Sequence, residues 1–145
     1  MKQSFIIHTD GGSRGNPGPA AIGVVIEGDL IVRKEYGEHI GVATNNEAEY
    51  QAVIFGLRKL KQLIGNVRAE KSQVVFYMDS ELLVKQLSYQ YKVKEENIQK
   101  LFLEVHNLRL DFGKVEFKHI LRGKNVEADK LVNQTLDREE SKLQL

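Results

Sequence analysis

Two apolar runs in this chain end in an aspartate. Phe5-Ile6-Ile7 leads through His8-Thr9 into Asp10, and Val74-Val75-Phe76-Tyr77-Met78 leads into Asp79. Asp10 is followed at once by Gly11-Gly12-Ser13-Arg14-Gly15-Asn16-Pro17-Gly18-Pro19, a turn whose small residues let backbone approach a ligand closely. If the two strands are parallel neighbours, both carboxylates sit at one sheet edge, where open α/β sheets bind ligands. Carboxylates held close repel, so one must take up a proton unless a cation lies between them. Two further acids start on the apolar sides of predicted helices. Glu49 is in register with Ala52, Val53, Gly56 and Leu60, and Asp129 with Val126, Val132 and Leu136. Turning a carboxylate inward without a partner costs roughly several kcal/mol. Singly, each acid has an ordinary explanation as a turn former, a cap or a helix-dipole partner. Together they share a better one, a divalent-metal centre. Oxygen ligands in a chain without cysteine favour Mg²⁺ or Mn²⁺ over Zn²⁺.

The elements that must hold these acids are legible from periodicity. Strands are predicted over residues 4–9, 21–26, 30–36 and 73–78, with Val115, Phe117 and His119 alternating along a fifth. Glu27-Gly28-Asp29 reads as a hairpin turn and residues 37–43 as a loop. Thr44-Asn45-Asn46-Glu47 has the form of a capping box opening a helix that Gly65-Asn66 should stop. A short helix is expected over residues 80–88, with Leu83 and Leu87 inward. A longer one is expected over residues 95–110, with Ile98, Leu101, Phe102, Val105 and Leu108 on its buried side. The last helix is predicted over residues 125–137, with a frayed tail from Arg138. A meander followed by β-α-β units makes an α/β chain, a mixed sheet flanked by helices.

With 145 residues and 41% apolar content, the chain is read as one domain, residues 1–145, with a real core. Its 21 basic and 20 acidic residues leave a net charge of +1, so a polyanion must be met by a local patch. The absence of cysteine excludes disulfide scaffolds, thiolate zinc sites and cysteine nucleophiles, and it fits a reducing, cytoplasmic location. Met1-Lys2-Gln3 leads straight into a strand without a signal-peptide apolar region, and no apolar run is long enough to span a membrane. A monomer is expected. His8 reads as a packed core residue, and His39 and His106 as exposed.

Four segments resemble the motifs of type 1 ribonuclease H. The first is Thr9-Asp10-Gly11-Gly12-Ser13-Arg14-Gly15-Asn16-Pro17-Gly18-Pro19. The others are Thr44-Asn45-Asn46-Glu47-Ala48-Glu49-Tyr50, Tyr77-Met78-Asp79-Ser80 and Asn125-Val126-Glu127-Ala128-Asp129. The resemblance implies the ribonuclease H-like fold, a five-stranded mixed sheet flanked by helices. It also implies cleavage of the RNA strand of an RNA–DNA hybrid with two Mg²⁺ ions, or Mn²⁺ in their place, leaving 3′-hydroxyl and 5′-phosphate ends. Asp10, Glu49, Asp79 and Asp129 become the catalytic and metal-holding acids, with Asp10 bridging the ions. Gly11, Gly12, Ser13, Asn16, Thr44, Asn45 and Asn46 fall on positions that meet the nucleic acid, where the 2′-hydroxyl distinguishes RNA from DNA.

The chain departs from that pattern in two places. The loop Leu121-Arg122-Gly123-Lys124 lacks the histidine of the best-known enzymes, so Arg122 takes its place, with His119 the nearest alternative. An arginine stabilises charge but is a poor proton shuttle. A lysine-rich protrusion is also missing, leaving only Tyr91-Lys92-Val93-Lys94, so weak and strongly salt-dependent substrate binding is expected. Two other readings stand beside the hybrid-specific ribonuclease. One is an enzyme of the same fold acting on double-stranded RNA or a DNA junction. The other is a binding module that has kept the fold without the chemistry.

Overall fold

The structure, a computed structural model, describes residues 3–143; Met1, Lys2 and the last two residues of the expected tail lie outside them. Three strands come first, β1 (Gln3–Ser13), β2 (Gly18–Gly28) and β3 (Lys34–Ala43). Helix α1 (Asn45–Glu70), strand β4 (Ser72–Met78), helices α2 (Glu81–Leu87) and α3 (Glu96–Arg109) and strand β5 (Lys114–His119) follow. A single 3₁₀ turn (Arg122–Lys124) leads into helix α4 (Val126–Leu143). The five strands form one mixed sheet in the order β3-β2-β1-β4-β5. The meander β1-β2-β3 is antiparallel, and β1-β4-β5 is parallel.

The alternation along β1 sorts the two faces of the sheet. Phe5, Ile7 and Thr9 are buried under α1 with Phe76, Leu57 and Leu60, in the core that also takes Ile98 and Val105 of α3. Gly11 is on the same face, where an added Cβ would lie 2.3 Å from the Ala48 carbonyl carbon. Only a glycine lets the strand pass this close beneath the first turn of α1. The opposite face of β1-β2-β3 is covered by α4. A Cβ on Gly23 would sit 2.1 Å from the Ala128 carbonyl oxygen, and one on Gly37 would sit 2.5 Å from the Thr135 hydroxyl. The two helices that carry acids therefore press on opposite faces of the central strands.

The Thr44 hydroxyl accepts from the Glu47 N–H at 3.1 Å while the Glu47 carboxylate accepts from the Thr44 N–H at 2.9 Å, so the capping box forms as predicted. Leu83 and Leu87 point inward from α2 as expected. Several expectations are corrected. Residues 30–32 are not a strand: Leu30 takes a φ of 61° in an exposed turn, and β3 begins at Lys34. The predicted loop 37–43 is the body of β3. Its glycines, which read as loop signals, are there to admit α4 and to bend an edge strand. Gly65 breaks the helical path with φ 82° and ψ 167°, but the chain re-enters a helix and α1 ends only at Glu70. Val126, expected inward, is exposed. The segment from Arg138 is not frayed, because α4 continues to Leu143 and its flank is held by ion pairs described below. His8 is half-buried and stacked on Tyr77 on the sheet face away from the core, and His106 is half-buried with a ring nitrogen 3.2 Å from the Tyr89 hydroxyl. No helix among the described residues is long and apolar enough to cross a membrane.

Gly23→Ala forces a methyl into the Ala128 carbonyl and is expected to cost about 1–3 kcal/mol, the usual range for overpacking. Gly123→Ala, with open space around the new methyl, is expected to stay within about 0.5 kcal/mol. Urea denaturation of the two variants checks the pair.

Candidate active site

The β1–β4 ladder ends at the pair His8–Tyr77, and Asp10 and Asp79 each lie two residues beyond it. Two parallel strands thus deliver two carboxylates to the same edge. Glu49 reaches that edge from the first turns of α1, which Gly11 allows to lie directly on β1. Asp129 comes from the first turn of α4 on the other face. All four line one open cleft of about 430 Å³, together with Gly11, Gly12, Ser13, Asn45 and Arg122.

The electrostatics of the cleft follow from this convergence. Burial, and after it the nearby carboxylates of Asp79, Asp129 and Glu49, push the Asp10 carboxyl up to about 8. Burial raises Glu49 to about 7, with Asp79 adding to the rise and the Ser80 hydroxyl opposing it. A protonated Asp10 is the cleft's own remedy for four crowded acids. Among the described residues no three acids or histidines are drawn together tightly enough to form a finished metal site. The donor set still fits a hard divalent cation: it is all oxygen, half-buried and net negative, with four acids against two arginines in the lining. Mg²⁺ or Mn²⁺ would replace the proton as the neutralising charge.

The expected turn does not begin at Gly11, because β1 runs on past Asp10 to Ser13 in register with β2, and it is the end of this strand that is latched to α1. Asn45 Oδ1 accepts from the Ser13 N–H at 2.9 Å and from the Ser13 hydroxyl at 3.2 Å, while Asn16 Oδ1 accepts from the Asn45 N–H at 3.0 Å. Asn16, Thr44 and Asn46 do not line the acidic cleft. Asn16 serves the latch and Thr44 the cap. Arg122 is exposed on the 3₁₀ turn at the cleft wall and makes no ion pair among the described residues. His119 stands outside the cleft lining, its Nε2 3.2 Å from the Asp79 carbonyl oxygen.

The sequence reading missed Arg14 and Asn133 in the lining. Arg14 reaches from the turn to α4 and pairs with Asp137 at 2.7 Å and Glu140 at 2.6 Å. The signal was a lone charge in a run of small residues. One partner, Asp137, closed the predicted last helix, and the other, Glu140, lay in the stretch read as a frayed tail.

The strand order, the helices on both faces and the acids at the sheet edge define the ribonuclease H class of α/β fold. A profile of the family described as reverse transcriptase-like matches residues 8–135. The N-terminal RNase H domain of Rv2228c from Mycobacterium tuberculosis superposes with a TM-score of 0.86 at 35% identity, over 97% of this chain and 99% of that one. The full protein, named bifunctional protein Rv2228c, is 37% identical over 134 residues, covering 91% of this chain and 35% of the relative. RNase H1 of Halobacterium salinarum superposes at 0.82 with 33% identity, over 93% of this chain and 98% of that one. LC11-RNase H1, isolated from compost by a metagenomic approach and crystallised with an RNA/DNA hybrid, superposes at 0.86 with 42% identity, over 93% and 98%. The chain belongs to the reverse transcriptase-like family and, within it, to the type 1 ribonucleases H. It spans about a third of the length of the mycobacterial proteins it matches.

The raised carboxyls set a pH dependence. An acid whose folded pKa is raised keeps a proton that the unfolded chain loses at lower pH, so the folded state binds more protons between the two values. For Asp10 that window runs from 3.8 to about 8, and for Glu49 from 4.5 to about 7. Metal-free protein is therefore expected to lose stability as pH rises through these windows, with the loss complete above pH 8. Asp10→Asn is expected to raise the metal-free melting temperature at pH 8 by roughly several degrees. Calorimetric melting in chelator at pH 5 and pH 8 checks both.

Proposed function

We propose that this chain is an endonuclease that hydrolyses the RNA strand of RNA–DNA hybrids with two divalent metal ions, leaving 3′-hydroxyl and 5′-phosphate ends. The observation that carries the reading is the convergence of Asp10, Glu49, Asp79 and Asp129 on one cleft, bordered by the backbone of Gly11, Gly12 and Ser13. The hybrid bound by the similar LC11-RNase H1 supports the substrate class.

The four acids would hold the ions. Bound Mg²⁺ or Mn²⁺ supplies an activated water and charge neutralisation at the leaving oxygen. The remaining chemistry belongs to the chain. Its carboxylates, once deprotonated, fix where cations can sit. The Gly11–Ser13 backbone lets a sugar-phosphate strand approach without a side chain in the way. The Ser13 N–H is already committed to Asn45, which leaves hydroxyl lone pairs as its free capacity and suits it to a donor such as a 2′-hydroxyl. The Arg122 guanidinium at the cleft wall would stabilise negative charge on the phosphate in transit. The N-terminus of α1, with its dipole, faces the same side as the turn and adds a place for a phosphate. A net charge of +1 and the short Tyr91-Lys92-Val93-Lys94 loop make hybrid binding weak and salt-dependent.

The test is cleavage of a labelled RNA strand paired with DNA, paired with RNA, and alone, with Mg²⁺ or Mn²⁺. Metal-dependent cutting of the hybrid alone is expected, with Asp79→Asn reducing it by at least about 100-fold. Cutting of the RNA duplex as well would show looser 2′-hydroxyl discrimination, and no cutting by a folded protein would leave a binding module. Arg122→Ala is expected to lower kcat by about tenfold or more with little change in KM. Unchanged turnover would remove Arg122 from the machinery.

A further inference from the structure

We propose that Asn125 is a positioning residue that sets the separation of Asp10 and Asp129, and through it the affinity of the cleft for divalent metal. The inference rests on the metal-dependent reading above. Asn125 is 1% exposed and touches both acid-bearing elements at once. Its side-chain Nδ2 donates to the Thr9 carbonyl at 2.9 Å, on the residue immediately before Asp10. Its backbone carbonyl accepts from the Asp129 N–H at 3.2 Å, closing the first turn of α4. A single residue therefore joins the strand carrying one acid to the turn carrying the other.

A second observation separates this role from plain stabilisation. Asn125 Oδ1 is the one buried side-chain polar atom without a partner among the described residues. The amide cannot turn over to relieve it, because its oxygen would then face the Thr9 oxygen. A buried acceptor without a donor is destabilising, and an apolar residue of the same shape would avoid that cost. The position thus gives up stability to keep one directed N–H on Thr9, which is the pattern of a group held for function. Its consequence is specific. The amide that holds Thr9 also fixes the strand residue before Asp10 against the turn that carries Asp129, so the tether sets the distance between two acids that line the same cleft.

Asn125→Leu removes the N–H and keeps the volume. Mn²⁺ binding to the hybrid-free protein is read from the free-ion electron paramagnetic resonance signal, and cleavage is measured as a function of Mg²⁺. The account expects a folded variant whose Mn²⁺ affinity is weaker by about tenfold or more, the usual effect of removing an outer support of metal ligands. Turnover should be low at limiting Mg²⁺ and recover at saturating Mg²⁺, with the hybrid KM within twofold of the parent. A folded Asn125→Leu with parental Mn²⁺ affinity overturns the proposal, as does a loss confined to hybrid KM. If Asn125→Leu fails to fold, Asn125→Ser, whose hydroxyl is too short to span to Thr9, is judged by the same two criteria. Failure of the parent itself to bind Mn²⁺ would overturn the proposed function, and this inference with it.

Discussion

Four carboxylates share one cleft, and ionising them together there without a positive charge among them costs stability. That constraint organises the molecule. Asp10, raised by burial and by its three neighbours, carries the strain most directly. Left to itself the cluster would relax by moving apart. The protein prevents this by delivering each acid on an element that is fixed elsewhere. Asp10 and Asp79 ride on adjacent parallel strands whose ladder stops just before them. Glu49 rides on a helix that Gly11 allows to touch β1, and Asp129 rides on a helix pressed onto Gly23 and Gly37 from the other side.

The substrate side is built by different means. Gly11, Gly12 and Ser13 are held in β1 by pairing with β2, and the turn beyond Ser13 is tied by side chains as well: Asn45 and Asn16 bond it to the α1 N-terminus, and Arg14 bonds it to the far end of α4. These exposed ion pairs add little stability individually. Their effect is to give a glycine-rich loop one shape, so that backbone groups present themselves to a strand at a fixed place beside the carboxylates. Family membership places this arrangement among enzymes, while the share of the mycobacterial relatives that the chain covers confines that statement to the ribonuclease H portion.

Most of the sheet and all four acids could be read from residue order, because strand ends, capping boxes and helical registers are local signals. The expected position of Glu49 on the inward side of α1 came from nothing more than its spacing to Ala52, Val53 and Gly56. What was misread depends on distant partners. Gly37 and Gly41 look like loop residues until α4 and the β2 edge are in place. Past Arg138, α4 carries Glu140, whose partner Arg14 lies well over a hundred residues earlier. Asn125 was visible only as part of a motif. Its bond to Thr9 spans 116 positions, and no pattern in sequence announces it.

The central claim is that protonation now does in the cleft what a divalent cation would do under the proposed function. Isothermal titration of Mn²⁺ into the protein at pH 7, repeated in buffers of different ionisation enthalpy, tests it most directly. With Asp10 near 8 and Glu49 near 7, binding should expel between about one and one and a half protons per protein, so the apparent heat should track the buffer. Asp10→Asn should cut the release to about the half proton that Glu49 still carries at pH 7. A heat of binding identical in every buffer would mean that the acids are ionised before the metal arrives, and would contradict the account.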